Sequence, residues 1–239
     1  MDLFQFRLSF HLAGPLSGWA SPPDSKALPA IWHNYSWALT LNSTEYVYSE
    51  NARFMQKDNP EMTANDVIKF VELINNNGID VCIDGGWGVD ALLGEQTRIH
   101  TDLDIAVQHK DGAQIRVLLE ARGYKDVPRD DTRDCNFVLG DEEGHLIDIH
   151  SYTFDSVGNI VFGVEYPYDS LNGTGSIKGF QVKCITPEWM VRFHTGYNLE
   201  DNDYHDVKLL CQRFGIKMPS EYAEFELREN KLLPGKSTE

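Results

Sequence analysis

Residues 82 to 107 constrain this chain more than any other stretch. Cys82-Ile83 closes a short apolar run, Asp84-Gly85-Gly86-Trp87-Gly88-Val89-Asp90 follows, and Arg98-Ile99-His100-Thr101-Asp102-Leu103-Asp104-Ile105-Ala106-Val107 leads into a second apolar run. In an extended strand residues i and i+2 share a face, so Asp102 and Asp104 point one way while Leu103, Ile105 and Val107 point into a core. Two carboxylates held this close repel each other, and a divalent cation keeps both ionised. The glycine pair allows a tight strand-to-helix turn whose N–H groups, at the positive end of a helix, suit a phosphate. Taken alone, the same pair is also what a turn needing positive φ contains.

The pattern around this motif alternates strands and helices. Thr63 or Asn65 caps a helix with Val67, Phe70, Val71 and Ile74 on one face, and Gly78 ends it. Ile79 to Ile83 reads as a buried strand, Gly86 to Leu93 as a short helix stopped by Gly94, and Asp111 to Ala121 as a helix stopped by Gly123. Strands over Cys135 to Leu139 and Leu146 to Tyr152 flank the turn signal Gly140-Asp141-Glu142-Glu143-Gly144, placing Asp148 beside the paired aspartates. Two further short strands, Ile160 to Val164 and Phe180 to Ile185, are separated by what reads as a Gly/Asn/Ser-rich loop. Helices follow from Pro187, with Trp189, Met190 and Phe193 on one stripe, and from about Asp203 to Arg213; the acidic run at 200–203 suits a helix start. The expected architecture is α+β, a mixed β-sheet flanked by helices with a small C-terminal helical subdomain.

The boundaries expected are 62–185 for the sheet domain, 186–233 for the helical subdomain and 234–239 for a tail. Residues 1–61 read as an irregular extension outside the fold, since Pro15, Pro22, Pro23 and Pro29 interrupt every candidate helix. Met55 or Met62 is an alternative natural start. A secretory signal fits poorly, because Leu8 to Leu16 contains His11 and Pro15 and lacks a firm basic beginning.

A net charge of −16 over 239 residues, without a cluster of Lys and Arg, argues against nucleic acid as partner and suits a small cation or plain solubility. No apolar run approaches the roughly 18 residues a bilayer span requires, so no membrane partner is expected. The widely separated Cys82, Cys135, Cys184 and Cys211 form no C-x-x-C pair and read as buried small hydrophobes, which points to a reducing, cytoplasmic setting.

Several motifs together carry a resemblance. The Asp84 to Asp90 run, the Arg98-x-His100-x-Asp102-x-Asp104 spacing, Asp148-Ile149-His150, His194-Thr195-Gly196-Tyr197 and His205-Asp206-Val207-Lys208 resemble the antibiotic nucleotidyltransferases. Lincosamide nucleotidyltransferases come first and aminoglycoside 2''-adenylyltransferases next, over roughly Met62 to Gly215. The resemblance implies a nucleotidyltransferase-type sheet that moves AMP from ATP to a hydroxyl of a small cationic antibiotic. It implies Mg²⁺ on Asp102, Asp104 and Asp148, with Asp148 also the general base. Gly85, Gly86, Arg98, His100 and Lys208 would hold the nucleotide. Asp84, Trp87, Asp90, His150, His194 and Tyr197 would line the acceptor pocket, and a homodimer is left open. Two competing readings stand beside it: a metal-dependent phosphohydrolase built on His100, His150, His205 and Asp206, and a nucleotide-binding protein without turnover.

Overall fold

The computed structural model describes residues 60–232; the expected extension over 1–61, apart from its last two residues, and the tail over 234–239 lie outside them. The chain opens with α1 (Ala64–Asn76). Thr63 starts it with a capping box: its hydroxyl oxygen accepts from the Asp66 N–H at 3.3 Å while the Asp66 carboxylate accepts from the Thr63 N–H at 3.3 Å. Then come β1 (Val81–Ile83), α2 (Gly85–Leu93), β2 (Asp102–Gln108), α3 (His109–Glu120), β3 (Lys125–Asp126), β4 (Asn136–Gly140) and β5 (Leu146–Phe154). The order continues with β6 (Ile160–Gly163), a 3₁₀ turn at Tyr168–Asn172, β7 (Gly173–Ile177), β8 (Phe180–Cys184), α4 (Pro187–Phe193), α5 (Asp201–Phe214) and α6 (Ala223–Leu232).

The eight strands form one mixed sheet in the order β3-β4-β5-β2-β1-β8-β7, with β6 paired to β5. The β2–β5 and β1–β8 pairs are parallel and the others antiparallel. This is the mixed α+β architecture expected from the sequence.

Alternation divides the sheet's two faces. On one, Leu103, Ile105, Val107, Ile147 and Ile149 pack with Val67, Val71 and Ile74 of α1 and Ile115 and Leu119 of α3. On the other, Ala106, Tyr152 and Tyr166 pack with Val89 of α2 and with Met190, Val191, Val207 and Leu210 of the C-terminal helices. Each fully buried aliphatic side chain contributes about 1.5–3 kcal/mol, which fixes the register: a slip of one residue would send the β2 aspartates into the first core.

Two strands contradict the sequence reading. The Gly173 to Ile177 segment, expected to be loop, is β7; a β-carbon on Gly175 would stand 2.3 Å from the Ala91 carbonyl oxygen, and one on Gly173 2.5 Å from that of Cys184. Glycine recurs there because α2 and β8 approach the backbone closely, not because the chain turns. The two-residue β3, an exposed edge, carries no apolar alternation to betray it. Helix α6, preceded by the 3₁₀ turn at Ser220–Tyr222, falls within the helical part expected over 186–233, as a third helix the pattern did not single out.

Candidate active site

The parallel β2–β5 pairing sets Asp104 directly against Asp148 and, two residues on, Ala106 against His150. His150 Nε2 stands 3.7 Å from Asp104 Oδ1 and 3.6 Å from Asp148 Oδ1, so the three side chains form one cluster. Asp102 lies on the same face one pleat earlier, opposite Leu146, and outside that tight group.

Electrostatics follow from crowding. Burial pushes the Asp148 carboxyl up to about 6, with the neighbouring Asp104 charge adding and the His150 charge opposing. Burial and then the Asp104 charge likewise raise Asp102. Burial alone would lower His150, but contact with Asp104 and the charges of Asp148 and Asp104 outweigh it and lift the imidazole to about 9. Asp148 Oδ1 is buried and makes no hydrogen bond among the described residues. A buried carboxylate oxygen without a donor is costly and needs a partner. Carboxylate oxygens carrying this much mutual repulsion fit a hard divalent cation, so the residues present suit magnesium.

Asp84 at the end of β1 caps α2, accepting the Gly85 N–H at 2.8 Å and the Tyr166 hydroxyl at 2.7 Å. Its own N–H donates to the Asp104 carbonyl at 2.9 Å, tying the turn to β2. Gly85 sits at φ +54°, and a β-carbon there would lie 2.1 Å from Asp104 Oδ2. On Gly86 it would lie 2.4 Å from Arg98 Nη2 and 2.6 Å from His100 Nδ1. The first glycine therefore makes room for the carboxylate and the second for two basic groups. The bland reading of the pair as a mere turn does not account for either contact.

Arg98 is held from across the structure by Asp206 of α5, which accepts from Nε at 3.0 and 3.1 Å and from Nη2 at 2.7 Å. Burial works against the guanidinium's charge, but the Asp206 carboxylate outweighs it and raises the pKa. The sequence offered Asp206 within the His205 to Lys208 motif and in the histidine–aspartate alternative, and nothing in the pattern joins it to a residue 108 positions away. Asp84 and Tyr166 form a second pairing that spacing does not reveal.

Other expected site residues are engaged in internal contacts. His100 is 3% exposed, with Nε2 2.5 Å from Asp90 Oδ2 and its ring 4.7 Å from that of Trp87. Asp90 also accepts from the Thr97 N–H and hydroxyl at 3.0 and 2.7 Å. The Trp87 indole N–H donates to the Met62 carbonyl at 3.2 Å. Trp87 and Asp90 are one turn apart on the inward side of α2, each 2% exposed, and brace the loop ahead of β2 rather than offer an open wall. His194 is buried at the end of α4, its Nδ1 on the Met190 carbonyl at 2.8 Å, and Tyr197 donates its hydroxyl to Asp203 at 2.6 Å. Lys208 pairs with Glu229 of α6. Lying two residues from Asp206, it is turned about 200° round α5. The phosphohydrolase set does not assemble: His100 meets Asp90, Asp206 meets Arg98, and His150 alone joins the carboxylates.

Comparisons with known proteins give the family. A family model described as aminoglycoside-2''-adenylyltransferase matches residues 66–210. The chain belongs to that family. A lincosamide resistance protein of Staphylococcus haemolyticus is 31% identical over 159 residues, 64% of this chain and 96% of that protein. The crystal structure of the lincosamide antibiotic adenylyltransferase LnuA with lincomycin bound superposes with a TM-score of 0.57 at 27% identity, covering 66% of this chain and all of LnuA. The structure of ANT(2'')-Ia in complex with adenylyl-2''-tobramycin gives 0.53 at 19% identity, over 70% of this chain and 98% of the other, a likeness of fold. The chain is thus a nucleotidyltransferase of the lincosamide and aminoglycoside resistance family. No helix among the described residues is long and apolar enough to cross a membrane, and all four cysteines are free and buried.

Proposed function

We propose that this enzyme transfers AMP from ATP to a hydroxyl of a lincosamide antibiotic, releasing pyrophosphate, with magnesium held by Asp102, Asp104 and Asp148. The observation that carries the reading is the Asp104–Asp148 register beside a glycine turn whose first α-carbon lies against the Asp104 carboxylate. Bound magnesium would supply charge neutralisation to the phosphate oxygens. Asp84 takes the Gly85 N–H, and the N–H groups of Gly86 and Trp87, next along the first turn of α2, receive the phosphates, with Arg98 adding a positive charge over Gly86. His100, closed off by Asp90, shapes that turn from behind.

Asp148 takes the proton of the acceptor hydroxyl, a role suited by a carboxyl that burial makes more basic than usual. The freed oxygen attacks the α-phosphorus, the bond to the bridging oxygen breaks, and the electron pair leaves with pyrophosphate. His150 borders the same carboxylates, and Asp84 with Tyr166 lies beside the turn, where an acceptor hydroxyl would approach.

The lincosamide choice rests on the 31% identity along nearly the whole of the curated relative. The aminoglycoside reading is favoured by the family model and by the −16 net charge, which would draw a polycation. The free, buried cysteines and the proposed use of ATP support a cytoplasmic reading. Pyrophosphate release measured with Mg²⁺ and ATP, with lincomycin, with tobramycin and with neither, tests the reading. Release dependent on lincomycin is expected. Release without any acceptor, or none under every condition, overturns the proposal.

A further inference from the structure

The acidic cluster and the polyphosphate proposed to bind beside it are both negative, yet the cations singled out in the sequence are already engaged. Arg98 is bound by Asp206 and Lys208 by Glu229. A different cation faces the carboxylates: Arg129, in the segment joining β3 to β4.

The strand register places it. The Val127 N–H donates to the Val138 carbonyl at 3.0 Å, Val138 pairs with Asp148, and Asp148 pairs with Asp104. Paired residues share a face, so Val127 stands on the side of Val138 and Asp148, and Arg129 follows two residues later, past Pro128, in the turn that leaves β3. The turn is held by its own backbone and by neighbours. The Arg129 N–H donates to the Thr132 hydroxyl at 2.8 Å, the Thr132 N–H to the Arg129 carbonyl at 3.1 Å, and Asn136 Nδ2 to the Asp131 carboxylate at 2.9 Å. The Arg129 guanidinium makes no hydrogen bond or ion pair among the described residues, and the residue is exposed. Its charge nonetheless reaches both Asp102 and Asp148, drawing each carboxyl down against burial. In sheet order the carboxylates of β5 and β2 therefore lie between the glycine turn that follows β1 and the Arg129 turn ahead of β4.

We infer that Arg129 is a further substrate-contacting residue, whose fork of N–H donors binds the polyphosphate beyond the α-phosphate, the part released as pyrophosphate. The inference rests on the nucleotidyl-transfer reading of the site. Guanidinium geometry matches pairs of phosphate oxygens, and an unpaired, exposed arginine at the rim is available to them without breaking any internal bond.

Calorimetric titration of the full chain with α,β-methylene-ATP and Mg²⁺, and separately with AMP, tests it. Arg129→Ala should weaken the triphosphate analogue at least tenfold, leave AMP within about twofold and keep the melting temperature, with Arg129→Lys recovering part of the loss. Arg213→Ala removes the same charge from the end of α5 and should leave both ligands unaffected. Equal weakening of AMP and the analogue, or no weakening of either, overturns the inference while the site reading stands. A wild-type chain that does not bind the analogue with Mg²⁺ overturns both.

Discussion

At the scale of single residues, the account turns on Asp104. It meets His150, opposes Asp148 across the strands and packs against Gly85. Asp104→Asn keeps the volume and removes one of several mutually repelling charges. The expected outcome is transfer slowed on the order of 10³-fold, several kcal/mol of lost charge stabilisation, with a melting temperature unchanged or slightly raised. Pyrophosphate release and thermal denaturation of the same preparation check the two halves together; near-full activity contradicts the assignment.

Gly85→Ala should do the opposite to stability. A side chain at φ +54° costs about 1–2 kcal/mol, and its β-carbon would displace the Asp104 carboxylate. Urea unfolding should register the loss and initial rates should fall with it. Both residues were legible in the sequence, because glycine doublets and alternating acids are local signals. The pairings of Arg98 with Asp206 and Asp84 with Tyr166 were not, since two polar residues far apart carry no periodicity that joins them. The burial of Trp87, Asp90 and His194 was not legible for a complementary reason: chemistry in a motif does not say which way a helix face turns.

At the scale of elements, the loop over 94–101 is pinned to α2 and to α5. Asp90 takes Thr97 and His100, and Asp206 takes Arg98. Removing Asp206, itself 1% exposed, leaves a half-buried guanidinium without its acceptor. Asp206→Ala should cost about 2–3 kcal/mol by chemical denaturation, since charged hydrogen bonds are lost and a donor is orphaned. A cost under about 0.5 kcal/mol, the scale of an ordinary surface change, would show that the pair is decorative.

The start of α1 offers a pH test. Burial tends to raise the Asp66 carboxyl, but the Thr63 hydroxyl, the Lys69 charge and the Thr63 N–H together hold it below the ordinary 3.8. With the folded value depressed, its stabilisation is complete above 3.8 and fades as pH falls through the lower folded value. Thr63→Ala should therefore cost about 1 kcal/mol near neutrality, with the gap narrowing only in strong acid. Urea titrations stepped downward in pH measure it, and a pH-independent gap contradicts the capping role. The helix ends at Thr63, Gly94 and Gly215 follow rules of cap chemistry that sequence carries. Strand β7 did not announce itself, because its glycines answer neighbouring backbones instead of its own conformation.

At the scale of the whole molecule, one sheet separates two chemistries. Its inner face is an aliphatic core shared with α1 and α3, and its outer face holds acids, His150 and the apolar seat of the C-terminal helices. The alternation that makes β2 and β5 amphipathic thus also gathers the acids and His150 on one face, which is why fold and candidate site share the same residues. Strand order could not, since parallel pairing of β2 with β5 and of β1 with β8 is decided by long-range packing. The most direct measurement is anomalous diffraction from crystals grown with Mn²⁺ in place of Mg²⁺ and α,β-methylene-ATP. A manganese peak touching the carboxylates of both Asp104 and Asp148, with phosphate density at the Gly85–Gly86 turn, is expected. A peak on histidine nitrogen alone, or nucleotide bound away from these two strands, would contradict it.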